Sequence, residues 1–304
     1  MKHAILYITI IAALTGACSK EEQPVASANT GLLDIFTPGS DADPVVRDIY
    51  NSHGIWIRTE FASVQELTNG YLEVDALVRV RGAKPLDPAL KDEVYAYTNT
   101  LLSNVPGAFT KAFFPLEIFY VESYGASWWV YPLKHLGRSR LIISWPNTTI
   151  GTIPVADPAK HYYQDSVLTV GVWNIICQSI TARMEEPIAD FVAAGKTHDG
   201  GKAYDQILNA YYADYDIEKY DAAIDELTRE GGFLTGAGSR DFRSDLASWI
   251  QLLATESSEN IQREYLDNSP ARAAKYAIVI DFARQHGWDI QAAGNTFRQR
   301  RDNP

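Results

Sequence analysis

Cysteine is nearly absent from this chain: its 304 residues include two, Cys18 and Cys177. No run of 18 or more apolar residues follows the N-terminal segment, so the body of the chain is not expected to contain a membrane-spanning helix. Basic residues are outnumbered, with 27 Lys and Arg against 38 Asp and Glu and a net charge of −11. This balance argues against nucleic acid or an anionic lipid surface as a partner. The glycine-rich segments lack the Lys of a phosphate-binding loop, and no internal repeat is present.

The N-terminus has the features of a bacterial lipoprotein leader. Residues 1–17 combine a basic start, an apolar run over 4–14 and small residues before Cys18. That run is shorter than the roughly 20 residues that a bilayer requires, which is typical of a secretory signal peptide. Leu14-Thr15-Gly16-Ala17-Cys18 resembles a lipobox, so we expect Cys18 to become the lipidated first residue of the mature protein. Cys177 is then the only thiol, and stability must come from packing instead of an intrachain disulfide.

The segment after the lipobox predicts where the anchored protein lies. Ser19-Lys20-Glu21-Glu22 resembles the short Lys-plus-acidic signal that sends Bacteroidetes lipoproteins to the outer cell surface. Residues 18–30 are polar, small and aperiodic, as a flexible tether is. We therefore expect a lipid-anchored protein of the outer membrane, exposed on the cell surface. In the alternative interpretation these residues are only the solvated start of the tether, and the protein faces the periplasm.

Hydrophobic periodicity from residue 31 onwards predicts an α+β protein. A small mixed β-sheet with helices is expected over 31–160, and a mainly helical subdomain over 161–304. The two subdomains are expected to form one compact unit over 31–304. Predicted helices cover 44–53, 86–105, 165–194 with a break at 185–187, 204–212, 220–230, 242–257, 271–286 and 289–301, and predicted strands cover 55–61, 117–121, 127–131 and 140–144.

Six short segments, spread over nearly the whole mature chain, occur in the order that one known protein family has. They are Ile49-Tyr50-Asn51-Ser52-His53-Gly54-Ile55, Ala112-Phe113-Phe114-Pro115, Gly232-Phe233-Leu234-Thr235, Ser244-Asp245-Leu246-Ala247-Ser248, Lys275-Tyr276-Ala277-Ile278-Val279 and Trp288-Asp289-Ile290. On these segments the chain resembles the zinc-binding metallopeptidase-like lipoproteins of Bacteroidetes. The resemblance implies a zincin-like fold and association with a TonB-dependent transporter and its surface glycan-binding lipoprotein. It also implies an H-E-x-x-H helix that binds zinc.

The zinc-binding helix of such a family aligns with residues 175–181, Ile-Ile-Cys-Gln-Ser-Ile-Thr. In H-E-x-x-H, two His one turn apart bind zinc and the Glu acts as general base on the metal-bound water. The resemblance places Cys177 and Thr181 at the His positions and Gln178 at the Glu position. A thiolate can bind zinc, but a Thr hydroxyl rarely does, and the Gln amide cannot accept the proton.

A second stretch of the family motif has also changed. The family's Glu-Asp-Phe-Ala-Glu, which would supply an acidic ligand, aligns with residues 244–248. Both Glu positions are Ser here, namely Ser244 and Ser248, so Asp245 is the only carboxylate left. One carboxylate and one thiol do not complete the three protein ligands of a catalytic zinc site.

These replacements predict a degenerate site without catalytic residues and without zinc. We expect an inactive accessory protein that binds a peptide or glycan, or serves as a scaffold, in a TonB-dependent nutrient-import system. Two alternatives stay open: an active zinc metallopeptidase with non-standard ligands, and a structural lipoprotein of the envelope.

Three further interpretations concern the motif helix, the histidines and Cys177. The helix over 175–181 can be ordinary core that never bound metal. His161, His198 and His286 are candidate zinc donors in the second half, although they lie far apart in sequence. Cys177 could act as a peptidase nucleophile only with a nearby His and an exposed thiolate, which an apolar helix does not provide.

Overall fold

A computed structural model describes residues 36–68, 80–126, 129–136, 139–145, 149–150, 153–154, 167–184, 186–195 and 198–302. The chain divides into two units, Met1–Thr37 and Pro38–Pro304, and nearly all of the described residues belong to the second. The expected signal peptide, the tether with Cys18, and His161 lie outside the described residues. None of the described helices is both long and apolar enough to cross a membrane.

A six-stranded mixed β-sheet organises the first half of the chain. Its strands are β1 (Trp56–Arg58), β2 (Val80–Pro85), β3 (Glu117–Ala126), β4 (Trp129–Val130), β5 (Leu133–Leu136) and β6 (Arg140–Ser144). The central strand β3 runs parallel to β1 and β6, and its second half pairs antiparallel with β2 and β4. β5 pairs antiparallel with β6 at the end of the order β1-β3-β6-β5. A separate ribbon consists of β7 (Thr149–Ile150) and β8 (Ile153–Pro154).

Strand β3 is buried on both faces of the sheet. Ile118 and Tyr120 belong to the main core, whereas Phe119 and Val121 belong to a smaller cluster on the opposite face. This alternation follows from the two-residue period of a strand. The sequence predicts β6 over its observed residues, but it predicts a β3 that is too short, because the second half of β3 is held by pairing with β2. Of the strand predicted over 127–131, residues 127–128 lie outside the described residues and 129–130 form β4, whereas β5 is not predicted.

Within the described part of the chain, four helices accompany the sheet. They are α1 (Pro44–His53), α2 (Val64–Leu67), α3 (Lys91–Leu102), which follows a 3₁₀ turn at Pro88–Leu90, and α4 (Gly107–Phe113). Helix α1 covers the residues that the sequence predicts; the Asp43 side chain caps it and Gly54 ends it at φ 70°. Helix α4 is not predicted, because Pro106-Gly107 is a typical stop signal; in the structure Pro106 is the N-cap residue of α4. Gly107 is required there, since a Cβ would lie 2.1 Å from the Ser52 carbonyl oxygen.

The second half of the chain is helical, as predicted. Its helices are α5 (Val167–Arg183), α6 (Ala189–Ala193), α7 (Lys202–Asp214), α8 (Ile217–Gly231), α9 (Phe242–Thr255), α10 (Ser258–Ile261), α11 (Pro270–Gln285) and α12 (Ile290–Asp302), with a 3₁₀ turn at Gly236–Arg240 and a π-helical turn at Gln262–Leu266. Helix α9 packs against both α5 and α12. The α+β architecture with a small mixed sheet is therefore confirmed.

Aromatic rings join the two halves of the chain in one core. The Trp288 indole stacks on Trp173 of α5 at a centroid distance of 5.8 Å, and it contacts Phe109 of α4 at 4.6 Å. Its Nε1 donates a hydrogen bond of 2.8 Å to the carbonyl of Asn104, which lies 184 positions earlier. The last part of the chain therefore completes the core of the first.

Candidate functional site

Helix α5 carries the two residues that align with the zinc-binding histidines, and both are buried. Cys177 is fully buried in the main core with Ile176 and Ile180, and Thr181 is 2% exposed. Burial raises the pKa of the Cys177 thiol well above its usual range, so the thiol is neutral near pH 7. The Thr181 hydroxyl donates to the Gln178 carbonyl at 3.2 Å. Neither side chain is presented as an anionic or exposed metal ligand.

Gln178, the residue at the general-base position, belongs to a chain of amides on the outer side of α5. Its Nε2 donates to Asn174 Oδ1 at 2.8 Å, and Asn174 Nδ2 donates to Gln251 Oε1 of α9 at 2.8 Å. Gln178 is exposed, whereas its neighbour Cys177 is fully buried. The Asn174–Gln251 bond thus links α5 to α9, whereas the Gln178 side chain bonds within α5 and lies on its exposed side.

The edge strand β5 packs directly on α5. Ser179 Oγ lies 2.8 Å from His135 Nε2, and Ser179 is fully buried. About two helical turns before Ser179, Gly171 lies so close to Leu133 that a Cβ at this position would be 2.8 Å from the Leu133 Cδ1 atom. Burial, with the nearby positive charge of Arg183, lowers the pKa of His135. The strand β5 and the helix α5 are therefore in direct contact. The polar contact between them is made by His135 and Ser179, which the sequence does not single out.

Asp245, the remaining carboxylate of the second motif, is fully buried near the start of α9. Its Oδ2 accepts a hydrogen bond of 2.6 Å from the ammonium of Lys275, which is also fully buried. The Lys275 ammonium donates a second bond of 2.9 Å to the Gly231 carbonyl. It also lies 4.2 Å from the ring centroid of Phe233 and 5.0 Å from that of Phe191. We call these five residues the Asp–Lys cluster.

Titration in the Asp–Lys cluster is governed by burial. Burial raises the pKa of Asp245 to about 7, although the Lys275 ammonium opposes the shift. Burial also lowers the pKa of Lys275, which Asp245 opposes. His198 lies beside the pair, with Nε2 3.7 Å from Asp245 Oδ2, and burial together with the Lys275 charge lowers its pKa. His198 is therefore a neutral neighbour of the ion pair near pH 7.

The Asp–Lys cluster contains the buried polar atoms that come nearest to a metal-binding arrangement. Within the described part of the chain, Asp245 Oδ1 and both ring nitrogens of His198 have no hydrogen-bond partner. Asp245 and His198 would supply two metal ligands, and a catalytic zinc site requires three from the protein. The Lys275 ammonium lies beside Asp245, and its positive charge repels a divalent cation. No group of three His, Cys, Asp or Glu residues among the described ones converges on a common point. The described residues around Asp245 therefore do not fit zinc.

Three of the segments that carry the family resemblance meet in or beside this cluster. Trp249 Nε1 donates to the Gly232 carbonyl at 3.1 Å, and Arg272 Nε donates to the Phe233 carbonyl at 2.9 Å. With the Lys275 bonds, these contacts tie the segment 232–235 to α9 and α11. The resemblance in this half of the chain therefore rests on residues that pack the helices together.

The other candidate zinc donor, His286, has a structural environment. Its Nδ1 lies 2.9 Å from the Phe282 carbonyl, and its ring contacts Phe113 at a centroid distance of 5.1 Å. His198 lies beside the Asp–Lys cluster, and His161 lies outside the described residues. The sequence analysis places Lys275 in a segment of the family resemblance but gives it no role in the site, because a single Lys in a helical pattern gives no sign that it is buried.

Comparison with known proteins gives one finding on the fold. No protein-family model matches the chain, and no curated protein matches it. A similar solved structure is that of a putative zinc-binding metallo-peptidase from Bacteroides caccae ATCC 43185, with a TM-score of 0.50 and 13% sequence identity. The match covers 89% of this chain and 91% of that chain. At this identity the likeness concerns the fold alone: the chain has a metallopeptidase-like fold.

Proposed function

We propose that this protein is a non-catalytic lipoprotein built on a zincin-like fold, held at the outer surface of the outer membrane by lipid on Cys18. In this proposal it is an accessory binding or scaffold component of a TonB-dependent nutrient-import system, with a peptide or glycan as its ligand. The observation that carries the non-catalytic part is the Asp–Lys cluster: the carboxylate left over from the metal motif is neutralised by Lys275 at 2.6 Å.

The chemistry of the motif helix supports the same conclusion. Metal-assisted peptide hydrolysis needs a bound cation that lowers the pKa of water and a base that accepts its proton. Cys177 is buried as a neutral thiol, and the Thr181 hydroxyl donates its hydrogen bond to the Gln178 carbonyl. Gln178 has no titratable group and is already bonded to Asn174. None of these three residues is therefore suited to bind zinc or to act as the general base.

Zinc binding and peptidase activity test the proposal directly. The mature chain is incubated with excess zinc, desalted and analysed by elemental analysis, and it is assayed on casein and peptide libraries with and without a chelator. We expect zinc far below one ion per chain and no chelator-sensitive cleavage. The control is the same treatment of a zinc peptidase of known activity. Tightly held stoichiometric zinc, or cleavage that Cys177→Ser or Asp245→Ala abolishes, would show that the chain is an active metallopeptidase instead.

A further inference from the structure

Helices α7 and α8 form a hairpin that is barely buried by the rest of the protein. None of the 13 residues of α7 is buried, and in α8 only Leu227, Thr228 and Gly231, near its C-terminal end, are. Most amphipathic helices of globular proteins owe their stability to a face packed against a core. In α7 and in α8 before Leu227, no residue is buried in this way, so the apolar face of the hairpin is left exposed there.

The open part of the hairpin carries a cluster of aromatic residues. The Tyr211 ring lies 5.6 Å from that of Tyr212, 5.7 Å from Tyr215 and 5.0 Å from Tyr220, measured between centroids. Tyr212 is 57% exposed, Tyr215 69% and the adjacent Ile217 53%. We call these five residues the tyrosine patch. Contiguous apolar exposure marks interaction sites, and Tyr is enriched where interfaces gain most of their binding energy.

A small cavity of about 290 Å³ opens between the two helices beside Tyr211 and Tyr220. Its walls include Ile207, Ala210 and Ala223 and are almost wholly apolar. The three charged residues that line it are engaged with one another. Asp214 bonds the Lys219 ammonium at 3.1 Å, and Asp216 accepts from the Lys219 backbone N–H as the N-cap of α8. The cavity therefore suits an apolar side chain better than a sugar, whose hydroxyl groups need free polar partners.

The hairpin is strongly acidic around this cavity. Residues 202–231 include eight acidic and three basic side chains. Exposed Glu218 and Asp221 lie in α8, on the same hairpin as the tyrosine patch. Complementary charge speeds association and selects the partner, whereas like charges meeting at an interface cost free energy. A second copy of this chain, with its net charge of −11, is thus disfavoured as the occupant.

We propose that the tyrosine patch is a docking site for a basic segment of a partner protein, which places one aromatic or aliphatic side chain in the cavity between Tyr211 and Tyr220. Lys and Arg residues on either side of that anchor face the acidic hairpin and contact the exposed rings by cation–π interaction. The proposal goes beyond the proposed function and does not depend on it, because the Asp–Lys cluster and the motif helix take no part in it.

Binding of designed peptides to the full mature chain tests the docking site. The probes are short peptides with a central Trp flanked by Lys, the same peptides flanked by Glu, Lys peptides with a central Ala, and a panel of neutral oligosaccharides. We expect the Lys–Trp peptide to bind at least about tenfold more tightly than the other peptides, and its affinity to fall as salt is added. Binding of oligosaccharides alone, equal binding of all peptides, or no peptide binding would each overturn the proposal.

Variants of the hairpin locate the binding to the patch. Tyr211→Ala with Tyr220→Ala should weaken the Lys–Trp peptide about tenfold or more. Glu218→Gln with Asp221→Asn should weaken it as well, whereas the matched pair Asp48→Asn with Glu259→Gln, which changes the net charge equally at exposed positions elsewhere, should not. If both charge pairs lower the affinity to the same extent, attraction is general and the site is not this patch. Self-association that the Tyr variants abolish would instead assign the patch to a second copy and overturn the proposal.

Tyr215 offers a variant that separates binding from folding. It ends α7 in the left-handed conformation, at φ 56° and ψ 28°, which is costly for a residue with a Cβ. Tyr215→Gly removes this strain together with the exposed ring. We expect an unchanged or higher melting temperature with weaker binding of the Lys–Trp peptide. Unchanged binding would remove Tyr215 from the patch, and the proposal fails if the Tyr211 and Tyr220 pair is silent too.

Discussion

At the residue scale, Asp245 and Lys275 form a buried ion pair that the surrounding structure fully encloses. Both side chains are fully buried, and the ammonium has two oxygen acceptors and two aromatic faces. A buried ion pair often stabilises a fold no more than a well-packed apolar pair would. Removing only one partner is strongly destabilising, because the other charge is then left buried alone. Its role in this fold is to hold α9 and α11 to the start of the segment 231–233.

Replacing Lys275 tests this account. Lys275→Met leaves the Asp245 carboxyl without its cation, and we expect it to lower the free energy of unfolding by about 3–5 kcal/mol at pH 8. The loss should be smaller at pH 5. Removing Lys275 raises the pKa of Asp245 further above its unfolded value, so the folded state gains from a bound proton at low pH and loses this as the pH rises. Urea unfolding at the two pH values measures the effect.

The double variant Asp245→Asn with Lys275→Met is the control for that prediction. It contains no buried charge, so it should be more stable at pH 8 than Lys275→Met alone, and the two substitutions should be non-additive. Strict additivity, or a Lys275→Met stability that does not depend on pH, would contradict a coupled buried pair.

At the scale of elements, the contact between β5 and α5 closes the region where the motif helix meets the edge of the sheet. The His135–Ser179 pair at 2.8 Å belongs to that contact, and burial lowers the pKa of His135 and so favours its neutral imidazole. Burial also lowers the pKa of His53 and His198. For each of these histidines the unfolded chain binds a proton at a higher pH than the folded one. The stability they contribute is present above the ordinary His pKa of 6.5 and is lost as the pH falls below it.

Acid sensitivity follows from this arrangement and can be assigned to His135. His135→Gln keeps a polar partner for Ser179 but does not titrate, so its unfolding free energy should fall less steeply than that of the native chain between about pH 7 and pH 5. Ser179→Ala keeps the titrating ring and should retain the native slope with lower stability overall. Parallel curves for His135→Gln and the native chain would contradict the assignment.

The elements also show what sequence reasoning can and cannot reach. Helix α1 is predicted to the residue because its signals are local: Asp43 caps it and Gly54 ends it. Helix α4 is missed because Pro106-Gly107 ends one helix and begins the next, and only the packing of Gly107 on Ser52 distinguishes the two meanings. The mixed sheet follows from strand-like runs, but β5 and the length of β3 depend on pairing with distant strands.

The same distinction applies to the candidate site. Cys177, Gln178, Thr181 and Asp245 can be named from the sequence because the motif has a fixed spacing. Their environment cannot, because it is made by tertiary contacts. Lys275 lies 30 positions from Asp245, and no local pattern announces that the two are paired. The sequence thus names the candidate positions, whereas their burial and hydrogen bonding come from the structure alone.

At the scale of the whole molecule, the membrane anchor stays a prediction from the leader. In the native bacterium, Cys18→Ser should release the protein from the membrane fraction and abolish incorporation of labelled fatty acid. Replacing Lys20, Glu21 and Glu22 by Ala should leave the protein membrane-bound but protect it from protease added to intact cells. Membrane retention of the Cys18→Ser protein would contradict the anchor, and unchanged protease sensitivity of the triple variant would contradict the surface signal.

Trp288 has a consequence for how this protein is made. Its indole fills a gap between Phe109 and Trp173 and bonds Asn104, so the rings of the first half are shielded from water only after the last part of the chain has been synthesised. Folding that waits for partners so distant in sequence is slow. A polypeptide that ends before residue 288 would therefore expose an aromatic surface that favours aggregation. We expect such a truncated chain to be degraded and not to persist as a folded domain.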